Sequence, residues 1–146
     1  MSNIINKINS KDAVIGVVGL GYVGLPLILA YLAKGYECIG FDIDQSKIDA
    51  IRSGESYIDH IPSEPLVRGV NDGMLVATTD FTEIPKVDAI IMAVPTPLDS
   101  HFEPDLSYVI HTMEAVAPHL RKGQIVSLES TTYPGTTDEE LKTRIE

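Results

Sequence analysis

Basic side chains are scarce in this sequence: 11 Lys and Arg stand against 21 Asp and Glu, a formal net charge of −10. Nucleic acid and anionic membranes both need a basic footprint, so neither is expected as a partner. The shortage does not exclude an anionic ligand, because backbone N–H groups at a helix N-terminus hold phosphate without Lys or Arg. Cysteine is nearly absent. Cys38 stands alone, so no internal disulfide can form, and a reducing, cytoplasmic setting fits best. Long apolar runs are missing too: the longest, residues 23–33, falls short of the about 20 that cross a bilayer. Residues 1–12 form a polar leader without the apolar core of a signal peptide. Neither Gly35 nor Gly123 opens a Gly-Lys-Ser/Thr sequence, no Gly-x-Ser-x-Gly elbow occurs, and His60, His101, His111 and His119 have no metal-ligand spacing.

What is present describes one domain of 146 residues with 44% hydrophobic and 22% charged residues, an ordinary globular balance. Four short apolar runs, residues 13–18, 37–41, 87–94 and 124–128, read as buried parallel strands, with a weaker fifth at 74–78. Helical patterns alternate with them. Residues 23–34 are apolar nearly all round and close at Gly35. Residues 45–53 follow the N-cap Asp44 and stop at Gly54. Leu106, Val109, Ile110, Met113 and Val116 mark a third helix behind the cap Asp105, ended or kinked by Pro118. A short helix is expected over residues 63–72, after an irregular piece at 55–62. Such alternation predicts an α/β, Rossmann-type, doubly wound parallel sheet in order 3-2-1-4-5 over residues 13–146. Thr137 and Glu140 suggest a capping box, so a helix begins as the sequence ends, the mark of a domain cut before further C-terminal domains.

Four constellations carry chemistry. Gly19-Leu20-Gly21-Tyr22-Val23-Gly24 follows a strand and opens a helix. In a dinucleotide fold Gly19 makes the tight turn, Gly21 admits the pyrophosphate and Gly24 lets helix and strand approach. A GxGxxG also occurs in plain glycine-rich turns; its place between strand and helix sets this one apart. Asp42 closes the second strand 18 residues after Gly24, where an acidic group accepts from the adenosine ribose hydroxyls. The bland alternative is capping, which is assigned to Asp44. A carboxylate at Asp42 disfavours NADP, because each like-charge pair at ~4 Å costs about 4 kcal/mol at an effective dielectric near 20. NAD is therefore the expected cofactor. Val94-Pro95-Thr96-Pro97, at a strand's carboxyl end, can line the adenosine side, although alone it is more often a rigid turn. Residues 129–137 place hydroxyls beyond another strand, with Thr136 and Thr137 assigned to capping. Cys38 lies inside a strand and reads as core, not nucleophile.

Together GLGYVGLP (19–26), FDID (41–44), VPTPL (94–98) and ESTTYPGTT (129–137) resemble the UDP-sugar 6-dehydrogenases, over nearly the whole chain from Val14. GESYIDHIP (54–62) and EPDLSY (103–108) look most like the UDP-N-acetylglucosamine 6-dehydrogenase branch. The resemblance implies oxidation of a sugar C6 alcohol to a carboxylate with two NAD+, through a cysteine thioester, in polysaccharide biosynthesis. It implies that Gly19, Gly21, Tyr22, Val23, Gly24 and Asp42 bind NAD, with Lys47 near the adenosine end. Val94, Pro95, Thr96 and Thr131 would contact the cofactor, and Thr132 would position a water or the nicotinamide in a supporting catalytic role. It also implies a UDP-sugar substrate and a homodimer at full length. The family's nucleophilic cysteine and its Lys, Asn and Asp partners have no counterpart here, so this chain is expected to bind cofactor without completing a turnover. Two competitors share the glycines: the front half of a β-hydroxyacid dehydrogenase, and a stand-alone NAD-sensing module like those regulating potassium channels.

Overall fold

The computed structural model describes residues 2–132 and 134–145. Its centre is a five-stranded parallel sheet, β1 (Val14–Val18), β2 (Glu37–Phe41), β3 (Leu75–Thr78), β4 (Ala89–Met92) and β5 (Ile125–Leu128), in the order β3-β2-β1-β4-β5. The expected order holds. The chain winds outward from β1 to β3, then crosses back to β4 beside β1. This reversal leaves a crevice at the carboxyl ends of β1 and β4, where ligands bind in such sheets.

Strand side chains alternate between two cores. Ile15, Val17, Cys38, Ala89 and Ile91 face one core, covered by α2 (Gly24–Ala33), α3 (Gln45–Ser53) and α4 (Glu64–Asn71). Val18, Ile39, Phe41, Ile90 and Met92 face the other, covered by α5 (Ser107–Val116), a 3-10 turn at Phe81–Lys86, and Leu141 of the terminal helical segment. The inner strands β1, β2 and β4 are buried on both faces and are accordingly near-continuously apolar, while the edge strands expose Val76 and Ile125. Asp44 caps α3 by accepting from the Ser46 N–H at 2.9 Å, and the helix stops at Gly54 in the left-handed region. Asp105 accepts from the Ser107 N–H at the start of α5, and that helix gives way to a 3-10 turn at Pro118. No helix among the described residues is long and apolar enough to cross a membrane.

Several elements differ from expectation. The strand expected over 87–94 pairs regularly only at Ala89–Met92: the 3-10 turn runs up to Lys86, Val94 carries a side-chain bond on its carbonyl, and Pro95 has no N–H to continue the ladder. At the chain's end a helix does form, but its cap position falls on Thr136, and the first turns over Thr137–Lys142 are wide and π-type. Thr137 is already helical there, and Glu140 pairs with Arg144 at 3.5 Å, so the expected Thr137–Glu140 capping box does not form.

The polar leader carries a helix that its composition did not announce, α1 (Ser2–Ser10). Ile8 packs against the core, the Ile8 carbonyl accepts from the Tyr36 hydroxyl at 2.9 Å, and the Lys7 ammonium reaches Asp88 at 2.9 Å. Asp88 is nearly fully buried, yet it also accepts from the Arg121 guanidinium at 2.8 Å and the Val14 N–H at 3.0 Å. Burial opposes its ionisation, but the Val14 N–H, Lys7 and Arg121 outweigh that and hold its pKa below the ordinary carboxylate value.

Candidate functional site

At β1, β2, β4 and β5 the ladder runs one residue past the strand's carboxyl end, and this sets where those four loops begin. The Gly19 N–H donates to Phe41, Asp42 to Thr78, Ala93 to Val18 and Glu129 to Met92, at 2.8 to 3.3 Å. Four loops therefore leave one edge of the sheet together. Between them lies a cleft of about 420 Å³, lined by Gly19–Val23 of the first loop, Asp42, Lys47 of α3, Ala93–Thr96 and Glu129–Thr131. A second, more apolar hollow of about 270 Å³ adjoins it, sharing Gly19, Asp42, Lys47, Val94 and Pro95 and adding Ile43, Phe81 and Tyr108.

The three glycines have separable duties. Gly19 sits at φ +93°, where a side chain is strained, and an added Cβ would lie 2.6 Å from the Ala93 carbonyl oxygen. At Gly24, the first residue of α2, a Cβ would lie 1.7 Å from the Gly19 carbonyl oxygen, so the helix is seated against the loop itself. At Gly21 a Cβ would meet nothing within 4 Å: its open side is the cleft. Tyr22 and Val23 are exposed at the rim, and the Tyr22 ring lies near-parallel to His60, centroids 6.4 Å apart.

Asp42 is buried, and both carboxylate oxygens already work. One accepts from the Leu20 N–H at 2.8 Å and the other from the Asp44 N–H at 2.9 Å, while Lys47 Nζ lies 3.8 Å away. The carboxylate thus braces the glycine loop from below, a duty absent from the sequence argument. Each oxygen keeps lone-pair capacity for a further donor. Ser130 Oγ donates to the Val94 carbonyl at 2.7 Å and ties the β4 and β5 loops together. Glu129 is part of the cleft lining, and its carboxylate accepts from Ser127 at 2.8 Å.

Of the residues singled out in the sequence, Gly19, Gly21, Tyr22, Val23, Asp42, Lys47, Val94, Pro95, Thr96 and Thr131 line the cleft. Gly24 stands behind it, and Thr132 lies just outside the lining. Tyr133 of the fourth motif is outside the described residues. Leu20, Ala93, Glu129, Ser130 and Tyr57 were not singled out as site residues. The first four line the cleft within or beside the motifs; Tyr57 comes from the irregular piece, and its hydroxyl donates to the Leu20 carbonyl at 2.5 Å. It lies in the GESYIDHIP stretch that carries the branch resemblance, but nothing in that stretch assigned it a place at the site. Cys38 is fully buried, and burial, aided by Glu37, pushes its thiol up to about 12. Such a thiol is inert at neutral pH. No cluster of three metal-binding side chains occurs among the described residues.

The model of the UDP-glucose/GDP-mannose dehydrogenase family, NAD binding domain, matches residues 13–146. The chain belongs to that family. As its NAD-binding domain it is 38% identical over 130 residues to UDP-N-acetyl-D-glucosamine 6-dehydrogenase of Pseudomonas aeruginosa, covering 89% of this chain and 30% of that protein. It is 43% identical over 126 residues to NDP-N-acetyl-D-galactosaminuronic acid dehydrogenase of Ralstonia nicotianae, covering 86% of this chain and 29% of that one. The solved GDP-mannose dehydrogenase of Pseudomonas aeruginosa superposes with a TM-score of 0.86 at 32% identity, covering 90% of this chain and 31% of that one. The chain therefore spans about 30% of the length of the curated relatives it matches. Membership decides against the β-hydroxyacid and channel-type readings.

Proposed function

We propose that the full-length protein oxidises the C6 alcohol of a UDP-hexose, UDP-N-acetylglucosamine, to the carboxylate with two NAD+. The observation that carries this is the meeting of all four motif loops in one cleft, with Gly21 open toward it. Gly21 and the positive end of α2 take the pyrophosphate. Asp42 accepts from the adenosine ribose with the capacity its backbone partners leave, and Lys47 stands beside it. The adenine ring fits the apolar hollow between Ile43, Phe81 and Tyr108. Tyr22, Val23, Val94 and Pro95 wall the dinucleotide from water, Thr96 and Thr131 contact its nicotinamide half, and Thr132 beside them orders a water. Bound NAD+ supplies the hydride acceptor. Cys38, buried and protonated, is not the nucleophile.

The choice of sugar rests on residues 54–62 and 103–108 and on the Pseudomonas relative at 38% identity; a relative named for another sugar matches the chain at 43%. We also place the protein in the cytoplasm, as a homodimer at full length, in keeping with its one unpaired cysteine and its family. The test is the full-length protein with NAD+ and, separately, UDP-N-acetylglucosamine, its manno and galacto epimers, and UDP-glucose. The expected result is NADH at a 2:1 ratio to sugar, with the highest kcat/KM on UDP-N-acetylglucosamine. A higher value on an epimer overturns the choice of sugar; no NADH with any substrate overturns the reaction.

A further inference from the structure

The segment between α3 and α4 is built rather than slack. Ile58 and Ile61 are buried in the core, the Ser56 N–H donates to Ser63 Oγ at 2.9 Å, and the Ile61 N–H donates to the Ile58 carbonyl at 2.9 Å. What this scaffold presents is Tyr57, whose hydroxyl donates to the Leu20 carbonyl. We propose that Tyr57 is a positioning residue for the dinucleotide pyrophosphate, turning the Leu20–Gly21 peptide so that its N–H faces the cleft. The proposal rests on the NAD reading given above.

The geometry is that of a planar trans peptide, in which C=O and N–H point in opposite directions. Tyr57 lines neither hollow, so its bond holds the Leu20 carbonyl on the side away from the cleft, and in the proposed arrangement the Gly21 N–H of the same peptide faces the cleft. The preceding peptide is fixed as well, because the Leu20 N–H donates to Asp42. Both planes around Leu20 are thus held from outside the loop, and the buried Leu20 side chain anchors the hinge between them. A donor set before the anion arrives avoids the ordering cost of binding. Burial, with Asp42 and Asp44 nearby, raises the Tyr57 phenol pKa, so it stays a proton donor through the neutral range.

Tyr57→Phe keeps the ring and removes the hydroxyl. Calorimetry of the wild-type chain and this variant with NAD+, ADP and adenosine, alongside thermal midpoints, separates the outcomes. We expect about five- to tenfold weaker NAD+ and ADP binding and unchanged adenosine binding. Unchanged NAD+ affinity, or an equal loss for adenosine, overturns the proposal. A wild-type chain that binds none of the three overturns the cofactor reading instead. In the wild-type protein the Gly21 amide resonance supplies a check independent of the variant's folding. It should shift with ADP and not with adenosine; no shift with ADP overturns the proposal.

Discussion

A methyl group at position 24 would lie 1.7 Å from a carbonyl oxygen, whereas one at position 21 would meet nothing within 4 Å. The two glycines should therefore fail differently. Gly24→Ala is expected to lower stability by about 1–3 kcal/mol through overpacking, read as a drop in thermal midpoint. Gly21→Val should leave the midpoint near wild type and weaken NAD+ binding tenfold or more, about 1.4 kcal/mol, because its side chain occupies pyrophosphate space. Unchanged affinity in a folded Gly21→Val would show that the pyrophosphate lies elsewhere. Asp42 braces Leu20 and, in the proposed reading, also faces the ribose. Asp42→Ala should weaken NAD+ and narrow the preference over NADP+ by roughly tenfold, the like-charge cost after solvent screening. Lys47, freed of its partner at 3.8 Å, would then favour a 2′-phosphate. Titrating both cofactors against both proteins is the measurement; an unaltered ratio would mean that Asp42 does not meet the ribose.

At the scale of elements, one buried carboxylate ties α1 to two strands, beside the packing of Ile8 and the Tyr36 bond to its carbonyl. Asp88 joins Lys7 of α1, Arg121 before β5 and the Val14 N–H at the start of β1. Its pKa is lower folded than unfolded, so its stabilisation is complete above the unfolded value of about 3.8 and is lost as pH falls through the folded value. Asp88→Ala is expected to cost ~1–3 kcal/mol at pH 7, since it leaves the Val14 N–H without its acceptor and removes the partner that Lys7 and Arg121 share. Denaturant midpoints measured from pH 7 down to pH 3 should show wild type and variant converging toward the acid end. A gap that persists unchanged at pH 3 would assign Asp88 a packing role instead. The elements that sequence reading placed well, α3 with its Asp44 cap and Gly54 stop, are those whose ends are fixed by local chemistry. It passed over α1 and the Phe81–Lys86 turn because only a few of their side chains face the core and their anchors lie far along the chain.

For the whole molecule, cofactor binding and chemistry are expected to separate. The chain of 146 residues should bind NAD+ yet form no NADH from UDP-N-acetylglucosamine, since its one thiol is buried and held protonated. Absorbance from NADH over time checks this. NADH that disappears in Cys38→Ser would make Cys38 the nucleophile, and NADH that survives in it would exclude cysteine catalysis altogether.

By itself the sequence determined the strand order and the glycine turn, because apolar runs must be buried on both faces and a right-handed crossover leaves few topologies. It also determined most of the cleft, since a motif directly after a strand can lie only at that strand's carboxyl end. Only the tertiary structure decided what holds those loops in place. The Leu20 N–H and carbonyl are claimed by Asp42 and Tyr57, which lie 22 and 37 residues away. The Ser130 hydroxyl finds the Val94 carbonyl across 36 residues. Hydrogen bonds of that span leave no periodicity in the chain: a hydroxyl is a donor wherever it stands, and folding alone selects the carbonyl it meets.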